Sequence, residues 1–195
     1  MRHEQARTPV PAGGGGGEAA RRIGKLVAST MPRTYESPGA LILRNWQRLQ
    51  SVPAGSWIFS RLVGRMVPYT GALGSNVREL RPGYARVELR DRRGIRNHLN
   101  SIHAVALVNL GEFTSGLAVL TGLPPTVQGI VTGLQVEYAK KARGKLVAEC
   151  GADIPVVQGE MDHVVRAEIL DAVGDIVAKI AVTWHLRPYP NREQR

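Results

Sequence analysis

The sequence predicts an α+β domain in which a curled antiparallel sheet of about six strands encloses one long central helix. Three observations predict it. Ser101 to Leu123 is the most apolar segment of the chain, the segments on either side of it alternate with a period of two, and short turn-rich links join those segments. The chain has 195 residues, room for one domain of ordinary size.

Residues 1–38 read as a flexible Gly/Arg-rich extension. Gly13–Gly17 is an unbroken run of glycine. Such a run buries no side chain and loses much entropy on ordering. The segment lacks the apolar stretch of a secretory signal, and Glu4 and Glu18 oppose a transit peptide.

Residues 39–66 read as an amphipathic helical segment. Leu41, Leu43, Trp46 and Leu49 fall near one face, with Arg44 and Arg48 four apart on another. Ser51-Val-Pro-Ala-Gly-Ser56 breaks the pattern; Trp57, Ile58, Leu62 and Val63 resume it, with Arg61 and Arg65 outward.

Then the period changes to two. Val77, Leu80, Ala85, Val87 and Leu89 suggest a hairpin around Arg81-Pro-Gly-Tyr84. Downstream, Gly129–Tyr138, Lys145–Val157, Val164–Leu170 and Ile176–Leu186 read as strands, with turn-like links at Gly159–Asp162 and Asp171–Asp175. The stretch Ser101–Leu123 is long enough to span a bilayer, but Glu112 near its middle opposes insertion. A helix apolar all round is expected where a sheet wraps it. Ser101 is its expected N-cap, and Pro124-Pro125 ends it.

The run from Asn97 to Glu112 carries the candidate chemistry. It places Asn97, His103 and Glu112 at spacings of six and nine. A carboxylate within an apolar helix has its pKa raised, toward what a general base needs at neutral pH. Unpartnered N–H groups at a helix start, aided by the helix dipole, stabilise an oxyanion. Nine residues turn a helix about 900° and rise about 13 Å, so one chain's His103 and Glu112 point to opposite faces. A shared site then needs His103 from one subunit and Glu112 from another, as in a symmetric dimer.

Asn97, His103-Ala104 and Glu112, in that order, resemble the Asn-x-x-Gly-x-x-His-Gly-Gly…Asp/Glu signature of hotdog-fold acyl-CoA thioesterases. The branch it resembles is the phenylacetate-pathway (PaaI-like) type, which includes a thioesterase-like domain family of unknown function. Pro68-Tyr-Thr-Gly71 and Tyr138-Ala-Lys-Lys-Ala-Arg-Gly144 are similar to that branch, and the likeness spans roughly residues 66–188. The hotdog domain is accordingly expected over 67–188, with a tail at 189–195. The resemblance implies an acyl-CoA thioester hydrolase that needs no cofactor beyond the coenzyme A of its substrate. Glu112 would be general base or nucleophile, Ala104 N–H would polarise the carbonyl, and Asn97 and His103 would orient substrate or water. It also implies a homodimer or dimer of dimers with active sites at the subunit interface. Asn100 and Ala104-Val105 stand where the signature has glycines, and a strand hydroxyl of some relatives aligns with Val131, beside Thr132. Val105 and Val131 motivate the alternative, an acyl-CoA-binding hotdog protein without turnover. Dehydratase and hydratase patterns fit less well: His103 is followed by Ala-Val-Ala-Leu, and Asp91 and His98 are seven apart.

Of the formal charge of +10, the six basic and three acidic side chains of residues 1–37 contribute +3. Lys140, Lys141, Arg143 and Lys145 form one compact basic cluster, expected as a clamp for coenzyme A phosphates. Aromatics make up only 5%, which weakens a role in stacking on single-stranded nucleic acid. No nucleic-acid partner and no stable membrane insertion are expected, and the cytoplasm is the expected location. The five histidines show no metal-ligand spacing, Gly-rich phosphate loops are absent, and the lone Cys150 excludes a disulfide within the chain.

Overall fold

The structure is a computed structural model that describes residues 37–189. The predicted extension lies outside the described residues apart from Ser37 and Pro38, and so does the C-terminal tail beyond Tyr189.

Two helices come first. α1 spans Pro38–Leu49; Pro38 opens it, and the Ser37 hydroxyl accepts from the Ala40 N–H at 3.2 Å. α2 spans Gly55–Met66. Trp46 meets Phe59 edge to face at 5.2 Å, joining the two helices. The buried face of α2 is Phe59, Ser60 and Val63, while Trp57 and Leu62 are about half exposed. That corrects the expected inward face, and the reason is tertiary. Ser60 Oγ accepts from the Val77 N–H at 2.8 Å and Ser56 Oγ donates to the Val77 carbonyl, so the serine side must face the sheet. A short turn of helix, α3, follows at Pro68–Gly71.

The sheet contains β1 (Asn76–Arg81), β2 (Tyr84–Leu89), β3 (Val127–Tyr138), β4 (Leu146–Gly151), β5 (Met161–Leu170) and β6 (Ile176–Pro188). Its order is β1-β2-β4-β5-β6-β3, and every pairing is antiparallel. β1 and β2 form the expected hairpin, turned by Pro82 and by Gly83 at φ +75°. β4 is shorter than the expected Lys145–Val157, ending at Gly151.

Between β2 and β3 lies α4, Ala104–Gly122. It packs across the concave face on β2, β4 and β5. Leu110, Ala118 and Val119 are fully buried against sheet residues that include Val87, Leu146, Ala148, Ile169 and Ile180. α4 is long and apolar enough to cross a bilayer, yet most of it is buried inside this domain. This is the hotdog fold, and it presents the start of α4 and one stripe of that helix away from the sheet.

The two edges of the sheet differ. β1 is six residues long, carries Arg78, Glu79 and Arg81, and is tied to α2 through Val77. β3 is twelve residues long and exposes Ile130, Leu134 and Tyr138. A bulge at Thr132 shifts its register, so Val131 faces Trp184 and Gly133 already faces Thr183.

Candidate active site

The N-cap of α4 is His103, which corrects the expectation of Ser101. His103 Nδ1 accepts from the Val105 N–H at 3.2 Å, and His103 O accepts from the Ala106 N–H at 2.9 Å. The Ser101 hydroxyl donates instead to the Ala142 carbonyl at 2.9 Å, which the same strand-end loop also offers to the Ile102 N–H. Of the first-turn donors, the Ala104 N–H is left without a partner among the described residues. An accepting Nδ1 puts the proton of a neutral imidazole on Nε2. His103→Ala is expected to cost about 1 kcal/mol of stability through the lost cap. His103→Asn should restore the cap; a thermal melt of both variants checks this.

Asn97 builds the loop before the cap. Its Oδ1 accepts from the Leu99 and Ser101 N–H groups at 2.9 and 3.2 Å. Asn100 sits at φ +54°, a left-handed conformation open to glycine and asparagine. The signature's glycine is therefore replaced by the residue that tolerates this conformation best after glycine. Val105 is half exposed, and its side chain stands at the helix start where the signature keeps glycine.

Glu112 lies in the middle of α4, half-buried; its backbone carbonyl accepts from the Ser115 hydroxyl at 2.9 Å, and its carboxylate has no hydrogen bond or ion pair among the described residues. Burial pushes its carboxyl above the ordinary glutamate range. Its position nine residues beyond His103 separates the two along one helix, so a single chain does not bring them together.

A cavity of about 330 Å³ opens at the helix start, lined by Tyr69, Leu73, Arg96, His103, Val105 and Asn109 among others. Asn109 is buried; its amide N–H donates to Thr70 Oγ1 at 3.2 Å, and its Oδ1 has no partner. An unmet buried acceptor costs about 1–3 kcal/mol, so a group entering the cavity gains by donating to it. The Asn109–Thr70 contact joins positions 39 apart, which no local sequence pattern reveals. His163 Nε2 and Trp184 Nε1, cross-strand neighbours, are likewise buried without a partner.

The basic cluster lies in the loop that Ala142 ties to the helix entrance. Lys140 is committed elsewhere, to Asp171 and Asp175 at 2.5 and 2.6 Å. Lys141, Arg143 and Lys145 are exposed and make no ion pair among the described residues. The Asp91 carboxylate bonds to Arg96 at 2.6 Å and to the Gly144 N–H at 3.0 Å, closing the same loop onto the helix entrance. Among the described residues no cluster of His, Cys, Asp and Glu is placed to hold a metal ion. Cys150 is buried, and burial pushes its thiol up to about 12, so it is an inert core residue.

The family model described as "Domain of unknown function (DUF4442)" matches residues 55–186. The chain belongs to the DUF4442 family. The match begins at Gly55, so α2 is part of the DUF4442 domain and α1 precedes it. No curated protein matches the sequence. Among solved structures, the structural-genomics protein APC5556 is 29% identical over 77% of this chain and all of its own, with a TM-score of 0.67. A Pseudomonas aeruginosa protein of unknown function, described as a probable thioesterase, is 24% identical over 67% of this chain and 93% of its own, with a TM-score of 0.62. The phenylacetic acid degradation protein PaaI of Thermus thermophilus is 22% identical over 60% of this chain and 97% of its own, with a TM-score of 0.52. This DUF4442 chain therefore shares its fold with PaaI and with the probable thioesterase.

Proposed function

We propose that this chain hydrolyses acyl-CoA thioesters. The observation that carries the reading is Glu112: a half-buried carboxylate without a partner, raised by burial, on the central helix of a thioesterase-like fold. In the general-base route Glu112 takes a proton from water as the oxygen attacks the thioester carbonyl. The Ala104 N–H and the dipole of α4 stabilise the resulting oxyanion. Collapse breaks the C–S bond, and the coenzyme A thiolate recovers the proton. In the nucleophile route the carboxylate itself attacks, releases the thiolate, and water then cleaves the mixed anhydride. Asn97 holds the entrance loop through its Oδ1, and His103 presents Nε2 to the cavity. Lys141, Arg143 and Lys145 meet the phosphates.

Because His103 and Glu112 lie about 13 Å apart on one helix, the site is completed by a second copy of the chain. The long exposed edge of β3 is the strand on which that copy pairs.

Thiol release from a panel of acyl-CoAs tests the reading. Turnover with at least one chain length is expected. Tight binding without hydrolysis across the panel would favour the acyl-CoA-binding alternative, for which Val105 at the helix start is the supporting observation.

A further inference from the structure

A second cavity, of about 730 Å³, lies beneath α2 and has no place in the mechanism above. Its apolar lining includes Trp57, Ile58, Leu62 and Phe113; Arg61, Arg65 and Arg90 supply the charge, and no acidic residue lines it. The size suits a small organic ligand.

The arginines are the unusual part. Arg61 and Arg65 are one helical turn apart, a like-charge spacing that opposes helix formation. Neither makes an ion pair among the described residues. Arg90 reaches Glu88 at 3.4 Å, but that carboxylate is already forked by Arg78 at 3.1 and 3.2 Å. Across residues 37–78 the sequence holds five arginines and no acid. Three arginines thus line one hollow, and among the described residues the one ion pair any of them makes is that of Arg90 with the shared Glu88 carboxylate. Planar forks of this kind match a carboxylate or a phosphate. Beside them, Trp57 is 54% exposed with Arg61 stacked 5.6 Å from its ring centre, and Leu62 is 48% exposed. Apolar walls with a cationic rim fit one chemistry.

We propose that this cavity binds a single-chain anionic amphiphile. Arg61, Arg65 and Arg90 hold the carboxylate or phosphate head, and Trp57, Ile58, Leu62 and Phe113 hold the apolar body. Phe113 follows Glu112 on α4, and Thr70 at the cavity wall accepts the Asn109 hydrogen bond, so the pocket backs directly onto the candidate active site. The assignment stands whether or not the chain hydrolyses thioesters.

The test uses the intact protein and four probes below their micellar concentrations: dodecanoate, dodecyl phosphate, dodecanol and dodecyltrimethylammonium. Trp46 and Trp184 are 4% and 5% exposed, so acrylamide quenching of tryptophan fluorescence reports chiefly on Trp57. Saturable protection is expected from dodecanoate, dodecyl phosphate or both, their relative affinity naming the head group. Arg61→Gln/Arg65→Gln should weaken it at least tenfold with an unchanged melting temperature, and Arg90→Gln serves as an independent variant. Equal protection by dodecanol or the cationic probe, no saturable protection at all, or affinity untouched in both variants would overturn the proposal.

Discussion

Glu112→Gln is expected to lower kcat for thioester hydrolysis by about 10²- to 10⁴-fold, the usual contribution of a positioned general base or more. The protein should fold normally. The side chain keeps its volume, and the group removed is a carboxylate that burial already penalises and nothing compensates. The pH dependence follows from the direction of the shift. Because the folded-state pKa is raised, folding favours the protonated acid. That advantage is complete below the ordinary glutamate range and is lost as pH rises through the raised value. Glu112→Gln should therefore be more stable than the parent at neutral pH, and the difference should vanish in acid. Activity should run the other way, rising with pH as Glu112 ionises. Thiol release and thermal melts measured across pH check both halves. Equal rates for the two proteins would remove Glu112 from the mechanism.

Gly111→Ala is expected to destabilise the domain by up to about 2 kcal/mol although alanine is the better helix former. A Cβ at Gly111 would lie 2.7 Å from Ile180 Cγ1 and 2.9 Å from its Cβ and Cδ1. Ile180 is fully buried in β6, so it has no room to retreat. Overpacking a core of this kind costs about 1–3 kcal/mol, against about 1 kcal/mol of helix propensity gained. Pairing Gly111→Ala with Ile180→Ala should cost less than the sum of the two single changes, because the truncation removes two of the three colliding atoms. Additive losses in denaturant unfolding would show that the helix does not approach the sheet at that point.

What the sequence disclosed, and what it withheld, divides along range of interaction. Ser101–Leu123 carries apolar residues on most of its circumference, which predicts a helix enclosed by a sheet, and α4 lies on the concave side of the sheet. Pro82-Gly83 announced its turn through glycine's freedom at positive φ. The cap falls on His103 rather than Ser101 because Ser101 is drawn to Ala142, 41 residues away, leaving the imidazole of His103 to serve. On α2, Val63 is buried and the arginines face outward as the pattern predicts, but Trp57 and Leu62 stay half exposed because Val77 claims the serines. Lys140 looked like part of a phosphate clamp until Asp171 and Asp175 folded back onto it. The arginine-lined cavity draws its walls from α2, α3, β1 and α4, so no single stretch of sequence announces it.

The unequal edges of the sheet carry a further consequence. β1 is short, charged and sutured to a helix, whereas β3 offers twelve residues of open backbone and an apolar flank. A strand like that recruits other strands without regard to their identity. In the dimer proposed above, ordered pairing with a sister chain would compete during folding with indiscriminate stacking, the outcome set by relative rates at the prevailing chain concentration. Substitutions that weaken pairing along β3 would then yield precipitate before they yielded a free monomer. For this chain, colloidal behaviour and assembly are two readings of one strand.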